Sequence, residues 1–147
     1  MVMIIQTKYF GEQEIKETDI IAFSSGLPGF AHDHRFIIQP FGETFSILQS
    51  VDDAEVAFIV TSPFYYFENY SVDLPDHFVK QLEIRSQEDV AVWVIVSVRN
   101  PFSDSTVNLN APVIINVNKK IGKQYIPEQS DYSLRMPLTA QLQEKRV

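Results

Sequence analysis

Apolar residues in this chain fall into short runs separated by turn-forming residues. Met3–Gln6, Ile20–Phe23, Phe36–Phe41, Phe45–Val51, Ala57–Thr61, Val90–Val98 and Val113–Val117 are β-branched or aromatic stretches bounded by polar and turn residues, a strand pattern. In Val92-Trp93-Val94-Ile95-Val96 both faces of a pleated strand are apolar, which predicts a central strand covered on two sides or a strongly curved sheet. Helical spacing is credible within Leu74–Leu82, where Phe78, Val79 and Leu82 follow Asp73 and Pro75. That segment predicts a short helix with Phe78 and Leu82 turned inward, placed as a lid over one end of the sheet. Closely spaced strands with a single helix predict a mostly β fold, a barrel-like or sandwich domain. Without repeats, low-complexity runs or linkers, residues 1–138 are expected to form one domain, and the polar stretch Thr139–Val147 a frayed tail.

Composition sharpens this picture. A chain of 147 residues with 45% hydrophobic residues, including 11 Phe and 6 Tyr, has the material for one adequate core. The absence of cysteine excludes disulfides, thiolate nucleophiles and thiolate metal sites. The N-terminal residues do not resemble a secretory signal, and the apolar run Val90–Val96 is too short to cross a bilayer, so a cytoplasmic protein is expected. With 12 Lys+Arg against 19 Asp+Glu, the formal charge is −7. That balance disfavours nucleic acid and anionic membranes, which are held largely by Lys and Arg. It suits a basic protein partner, or simply solubility.

The motifs offer little catalytic chemistry. His32-x-His34 could reach one ion from one side of a strand, but a third ligand is missing nearby. Asp52-Asp53-x-Glu55 could chelate a hard cation, yet it lacks the glycine of a tight calcium loop and reads better as a solvated turn. Ser24-Ser25-Gly26 lacks the flanking glycines of a nucleophile elbow, and neither phosphate-binding glycine motif occurs. No carboxylate stands beside a feature that would shift its pKa, so no catalytic residue, cofactor or metal is assigned. Gly26-Leu27-Pro28-Gly29-Phe30 predicts a type II turn with Gly29 at positive φ. Asn108-Leu109-Asn110-Ala111-Pro112 predicts a break between strands. The segment Pro63-Phe64-Tyr65-Tyr66-Phe67-Glu68-Asn69-Tyr70 is densely aromatic. On a strand its rings would alternate between core and surface, leaving one or two as interface anchors.

Taken in order, several pieces resemble the bacterial flagellar assembly factor FliW family. They are Gln6-Thr7-Lys8-Tyr9-Phe10-Gly11, then Ile20-Ile21-Ala22-Phe23 with Gly26-Leu27-Pro28-Gly29-Phe30, then Pro40-Phe41, Leu48-Gln49-Ser50-x-Asp52 and Phe58-Ile59-Val60-x-x-Pro63. Val107-Asn108-Leu109-Asn110-Ala111-Pro112, Ile115-Asn116, Gln124 and Tyr132-x-x-Arg135-x-Pro137 complete the set. The resemblance runs from about residue 3 to 138 and rests on order and spacing, since each motif alone is weak. It implies a small, single-domain antiparallel β-barrel-like fold with one short helix, and a chaperone for cytosolic flagellin. It also implies binding to the RNA-binding regulator CsrA, whose repression of flagellin mRNA translation the family antagonises. Secretion of flagellin then frees the factor to sequester CsrA.

Composition accords with that implication. A CsrA-type partner presents a basic face to RNA, and an acidic protein docked nearby opposes the RNA. One like-charge pair at 10 Å in water contributes only about 0.4 kcal/mol, so the effect needs several carboxylates. Two groups are candidates: Glu12, Glu14, Glu17 and Asp19, and Asp52, Asp53 and Glu55. Reversing either is expected to slow CsrA association at low salt. For flagellin, a chaperone needs exposed apolar surface, and the candidates are Phe64, Tyr65, Tyr66 and the loop Asn100–Asp104 with Phe102 and Asp104. Two rival readings remain, a small-molecule-binding barrel and a hydrolase using paired carboxylates.

Overall fold

A computed structural model describes residues 1–128 and 132–138; the expected tail, 139–147, lies outside them. Among the described residues the strands are β1 (Val2–Thr7), β2 (Gly11–Lys16), β3 (Ile21–Ala22), β4 (Arg35–Phe41), β5 (Phe45–Ser50) and β6 (Ala57–Thr61). The helix α1 (Asp76–Gln81) precedes β7 (Val90–Ser97), β8 (Thr106–Val107), β9 (Val113–Asn116), β10 (Ile121–Gln124) and β11 (Met136–Pro137). β1 and β2 form a separate hairpin, in register from Val2↔Lys16 to Thr7↔Gly11. The remaining strands form one sheet that closes on itself: β7, β6, β5, β4, β3, β10 and β9 lie side by side, and β9 pairs again with β7. The β3–β10 pair is parallel. Over its described residues the chain thus adopts a mostly β, barrel-like fold with one short α-helix.

The run in β7 explains the closure. Val90–Trp93 pair with β9, Val94 and Ile95 with β6, and Val96 and Ser97 with β8, so this one strand joins two walls. Its alternate residues Ala91, Trp93 and Ile95 join Phe36, Leu48, Val60, Val113 and Ile115 in the barrel interior. Val94 and Val96 belong to an outer cluster with Phe67, Tyr70, Val107 and Leu109. Each large apolar side chain buried in this way contributes roughly 1.5–3 kcal/mol. Inside the barrel Gly122 stands opposite Ile115; a Cβ there would lie 2.6 Å from the Phe23 ring, so the glycine makes room for that phenylalanine.

Outer elements seal the barrel wall. Ile5 and Ile15 of the hairpin pack on Ile37 of β4. Phe78 and Leu82 pack on Ile114, with Val90, Val92 and Ile121 beside them. Ile114 lies between the interior residues Val113 and Ile115, so α1 covers the outside of the β7–β9–β10 wall and does not close an end as the lid reading expected. The helix is also shorter than expected, because Pro75 sits at its N-cap with φ −66° and ψ 156°. The aromatic segment is not a strand: Pro63–Tyr65 form a 3₁₀ turn, and Phe67 and Tyr70 turn into the outer cluster.

Candidate protein-docking surfaces

The conspicuous sequence motifs serve mainly as fasteners. Gln49 is fully buried; its Oε1 accepts the Lys8 N–H at 3.0 Å and its Nε2 donates to the Ser50 and Ala54 carbonyls at 3.0 and 3.2 Å. This one side chain ties the hairpin loop to the barrel. The Ser50 hydroxyl donates to Asp33 Oδ1 at 2.8 Å and accepts the Asp52 and Asp53 N–H groups at 3.2 Å. Asn108 Oδ1 accepts from the Asn110 and Ala111 N–H groups, closing the turn expected there. In the Leu27–Phe30 turn, Gly29 takes φ 83° as predicted. At Gly26, φ is +64° and a Cβ would lie 2.6 Å from the Phe30 carbonyl, so glycine is required on both counts.

Three of the possible metal ligands, His34, Asp52 and Asp53, are engaged otherwise. His34 Nδ1 lies 3.0 Å from the Phe23 carbonyl oxygen, to which its N–H can donate. Asp53 Oδ1 accepts the Glu55 N–H at 3.0 Å, a turn contact. Among the described residues no three His, Cys, Asp or Glu side chains converge as metal ligands.

The two acidic groups differ in character. Glu12 and Glu14 project from β2 to the exposed side, opposite Gln6 and Ile4, and Glu17 and Asp19 follow in a 3₁₀ turn. In the second group Asp52 is held by a bidentate contact from the Arg35 guanidinium, through Nε at 3.1 Å and through Nη2. That hydrogen bonding lowers the Asp52 pKa and raises that of Arg35. Glu17 also attracts Arg35, so this one arginine feels both groups. Asp52 is therefore largely neutralised as a docking charge, whereas Asp53 and Glu55 remain exposed.

Two of the aromatic candidates, Tyr66 and Phe102, are drawn together by a residue sequence reasoning had not singled out, Phe45, whereas Phe64 lies against Tyr70, with ring centroids 6.0 Å apart. The Phe45 ring meets Phe102 edge-on with centroids 5.9 Å apart, and lies 6.4 Å from the Tyr66 ring. Tyr66 is anchored by a 2.8 Å hydrogen bond between its hydroxyl and that of Thr44 and is half-buried. Phe64, Tyr65 and Phe102 keep 48%, 60% and 49% of their surface exposed, and Phe64 and Phe102 each also pack against another ring, Tyr70 and Phe45. Asp104 shares the exposed turn with Phe102.

Two exposed apolar features were missed. Tyr9 and Phe41 stack with centroids 6.5 Å apart, both exposed. Val2 and Ile4 lie exposed on the same side of the hairpin as Glu12 and Glu14. Both parities of β1 are apolar, so alternation could not say which side would face water; in the first pair, only tertiary structure brings Phe41 to Tyr9.

A model of the family described as "FliW protein" matches residues 4–138. The chain is 45% identical over 134 residues to the flagellar assembly factor FliW of Geobacillus thermodenitrificans, covering 90% of this chain and 93% of that relative. It is 46% identical over 138 residues to the protein of that name from Bacillus licheniformis and 44% identical over 138 residues to that of Bacillus subtilis, covering 92% of this chain and 96% of the relative in each case. A crystal structure of the flagellar assembly factor FliW superposes with a TM-score of 0.90 at 43% identity, covering 92% of this chain and 96% of the other.

Proposed function

The chain belongs to the FliW family of flagellar assembly factors, and on that premise we propose that it acts by binding two proteins in the cytoplasm, without catalysis. One is flagellin, held as by a chaperone; the other is CsrA, whose repression of flagellin mRNA translation is thereby relieved. The observation that carries the reading is the aromatic group Phe45–Tyr66–Phe102, whose Phe102 stays half exposed, with the exposed rings of Phe64 and Tyr65 in the turn that leads to Tyr66. Half-exposed rings backed by packed ones offer apolar area at little ordering cost, as suits an anchor for an amphipathic segment.

CsrA belongs with the acidic residues. Glu12, Glu14, Glu17 and Asp19 carry the larger share of the attraction, because Arg35 neutralises Asp52 in the other group. Asp53, Glu55 and Asp104 add to the field around their own turns. The cheapest test is titration of flagellin into the purified chain and its Phe102→Ala variant. Loss of one interface aromatic of this kind should weaken flagellin roughly 5- to 30-fold, a cost of about 1–2 kcal/mol. Unchanged affinity would remove Phe102 from the site.

A further inference from the structure

Four rings from three separate segments line up across the outside of the sheet. Phe41 and Phe45 are directly opposed on β4 and β5, so their side chains share a face. It is the outer one, because Phe41 has the same parity along β4 as Ile37, which packs on the hairpin. On one side Tyr9, in the hairpin loop, stacks on Phe41 at 6.5 Å; on the other Phe102, in the turn after β7, meets Phe45 at 5.9 Å. Since β6 and β7 follow β5 on the side away from β4, the row runs Tyr9, Phe41, Phe45, Phe102 across the strands. Directly opposed residues have Cβ atoms about 4.5–5.5 Å apart, so every step in the row is close to one helical turn, roughly 5.4 Å. Tyr9, Phe41 and Phe102 each stay nearly half exposed, and a contiguous exposed apolar patch of this kind marks an interaction surface.

We propose that this row receives one amphipathic helix of a protein partner, lying across β4 and β5 with an apolar residue over each ring, at i, i+4, i+7 and i+11. Exposed charges on the turns that carry the rings define the flanks of that helix. Glu43 lies in the loop between Phe41 and Phe45, Asp104 shares the turn of Phe102, and Lys8 stands with Nζ 5.6 Å from the Tyr9 ring centroid. Basic residues therefore suit the flank over most of the row, and an acidic one its Tyr9 end. A formal charge of −7 disfavours a second copy of the chain or an anionic bilayer as the occupant. The inference rests on the flagellin reading, whose aromatic group supplies Phe45 and Phe102, and it extends that site to Tyr9 and Phe41.

The probe is a capped peptide of alanine, lysine and glutamine with leucines at those four positions, titrated into the intact chain and followed by NMR. A scrambled peptide of the same composition is the control. Saturable shifts at Tyr9, Phe41 and Phe102 together are expected with the first peptide and not with the second. Tyr9→Ser, at a loop tip, should leave the unfolding midpoint unchanged while weakening the peptide roughly 5- to 30-fold, and Phe41→Ser should weaken it likewise. Shifts that are absent, confined to the Phe102 end or equal for the scrambled peptide overturn the row, as does parent affinity in the Tyr9→Ser chain. If flagellin is weakened by Phe102→Ala but not by Tyr9→Ser, the row is overturned and the flagellin reading survives. If flagellin does not bind while the peptide shifts all three residues, the flagellin reading fails and the row stands.

Discussion

Single polar residues hold this molecule in register, and Gln49 shows how. Its amide satisfies the Lys8 N–H and backbone carbonyls of the Ser50–Ala54 bend at once. An apolar isostere would leave those groups buried and unpaired, at about 1–3 kcal/mol for the lost partner. We expect Gln49→Leu to lower unfolding stability by roughly 2–3 kcal/mol in urea melts, with the amides nearest the Lys8 loop losing exchange protection first. Asp52 gives a second residue-scale prediction. Its carboxyl pKa is held below the ordinary 3.8 by the Arg35 guanidinium. The ion pair therefore stabilises above that ordinary value, and its contribution is lost as pH falls through the lowered one. Both side chains are about half exposed, so screening limits the contribution to roughly 0–1 kcal/mol. Asp52→Asn should be slightly less stable than the parent at pH 7, and the difference should close as pH falls through the lowered Asp52 pKa, as parallel denaturant melts would show.

Elements differ in how far the sequence reveals them. The strands from Phe36 to Thr61, and the one beginning at Val90, were legible because their apolar runs are bounded by turn residues. β2 was not, because Gly11-Glu12-Gln13-Glu14-Ile15-Lys16 has a single buried side chain, Ile15, and owes its strand state to pairing with β1. The helix was legible as a helix, but its position on the outside of a wall depends on the long-range pairing of β7 with β9. Phe64–Tyr70 misled in a different way: density of aromatics suggested a strand, while Pro63 starts a 3₁₀ turn. Because a two-stranded hairpin is marginal alone, β1 and β2 depend on Ile5 and Ile15 against Ile37. Ile15→Ala should cost roughly 2–5 kcal/mol. By hydrogen exchange, the β1–β2 amides should open before those of β5 and β6.

At the scale of the whole molecule, the ring of strands and the elements packed outside it present two chemically distinct surfaces, one acidic and one aromatic. The acidic residues were legible one by one, since charge patterning is local. That Arg35 is drawn to both groups and quenches one of them was not, because Arg35, Glu17 and Asp52 belong to distant parts of the chain. Phe102 was legible as a loop aromatic, whereas its support by Phe45 required the fold. The proposed switch would use the two surfaces in turn: flagellin would engage the aromatic group and CsrA the acidic one, and occupation of the first would have to weaken the second for secretion of flagellin to release the factor. Such linkage is typically worth about 1–3 kcal/mol.

The most direct measurement is a calorimetric titration of CsrA into the purified chain, repeated after saturation with flagellin. The account predicts specific binding of both proteins and a CsrA affinity reduced roughly 5- to 150-fold once flagellin is bound. CsrA heats that are absent, or that are the same with and without flagellin, would contradict it.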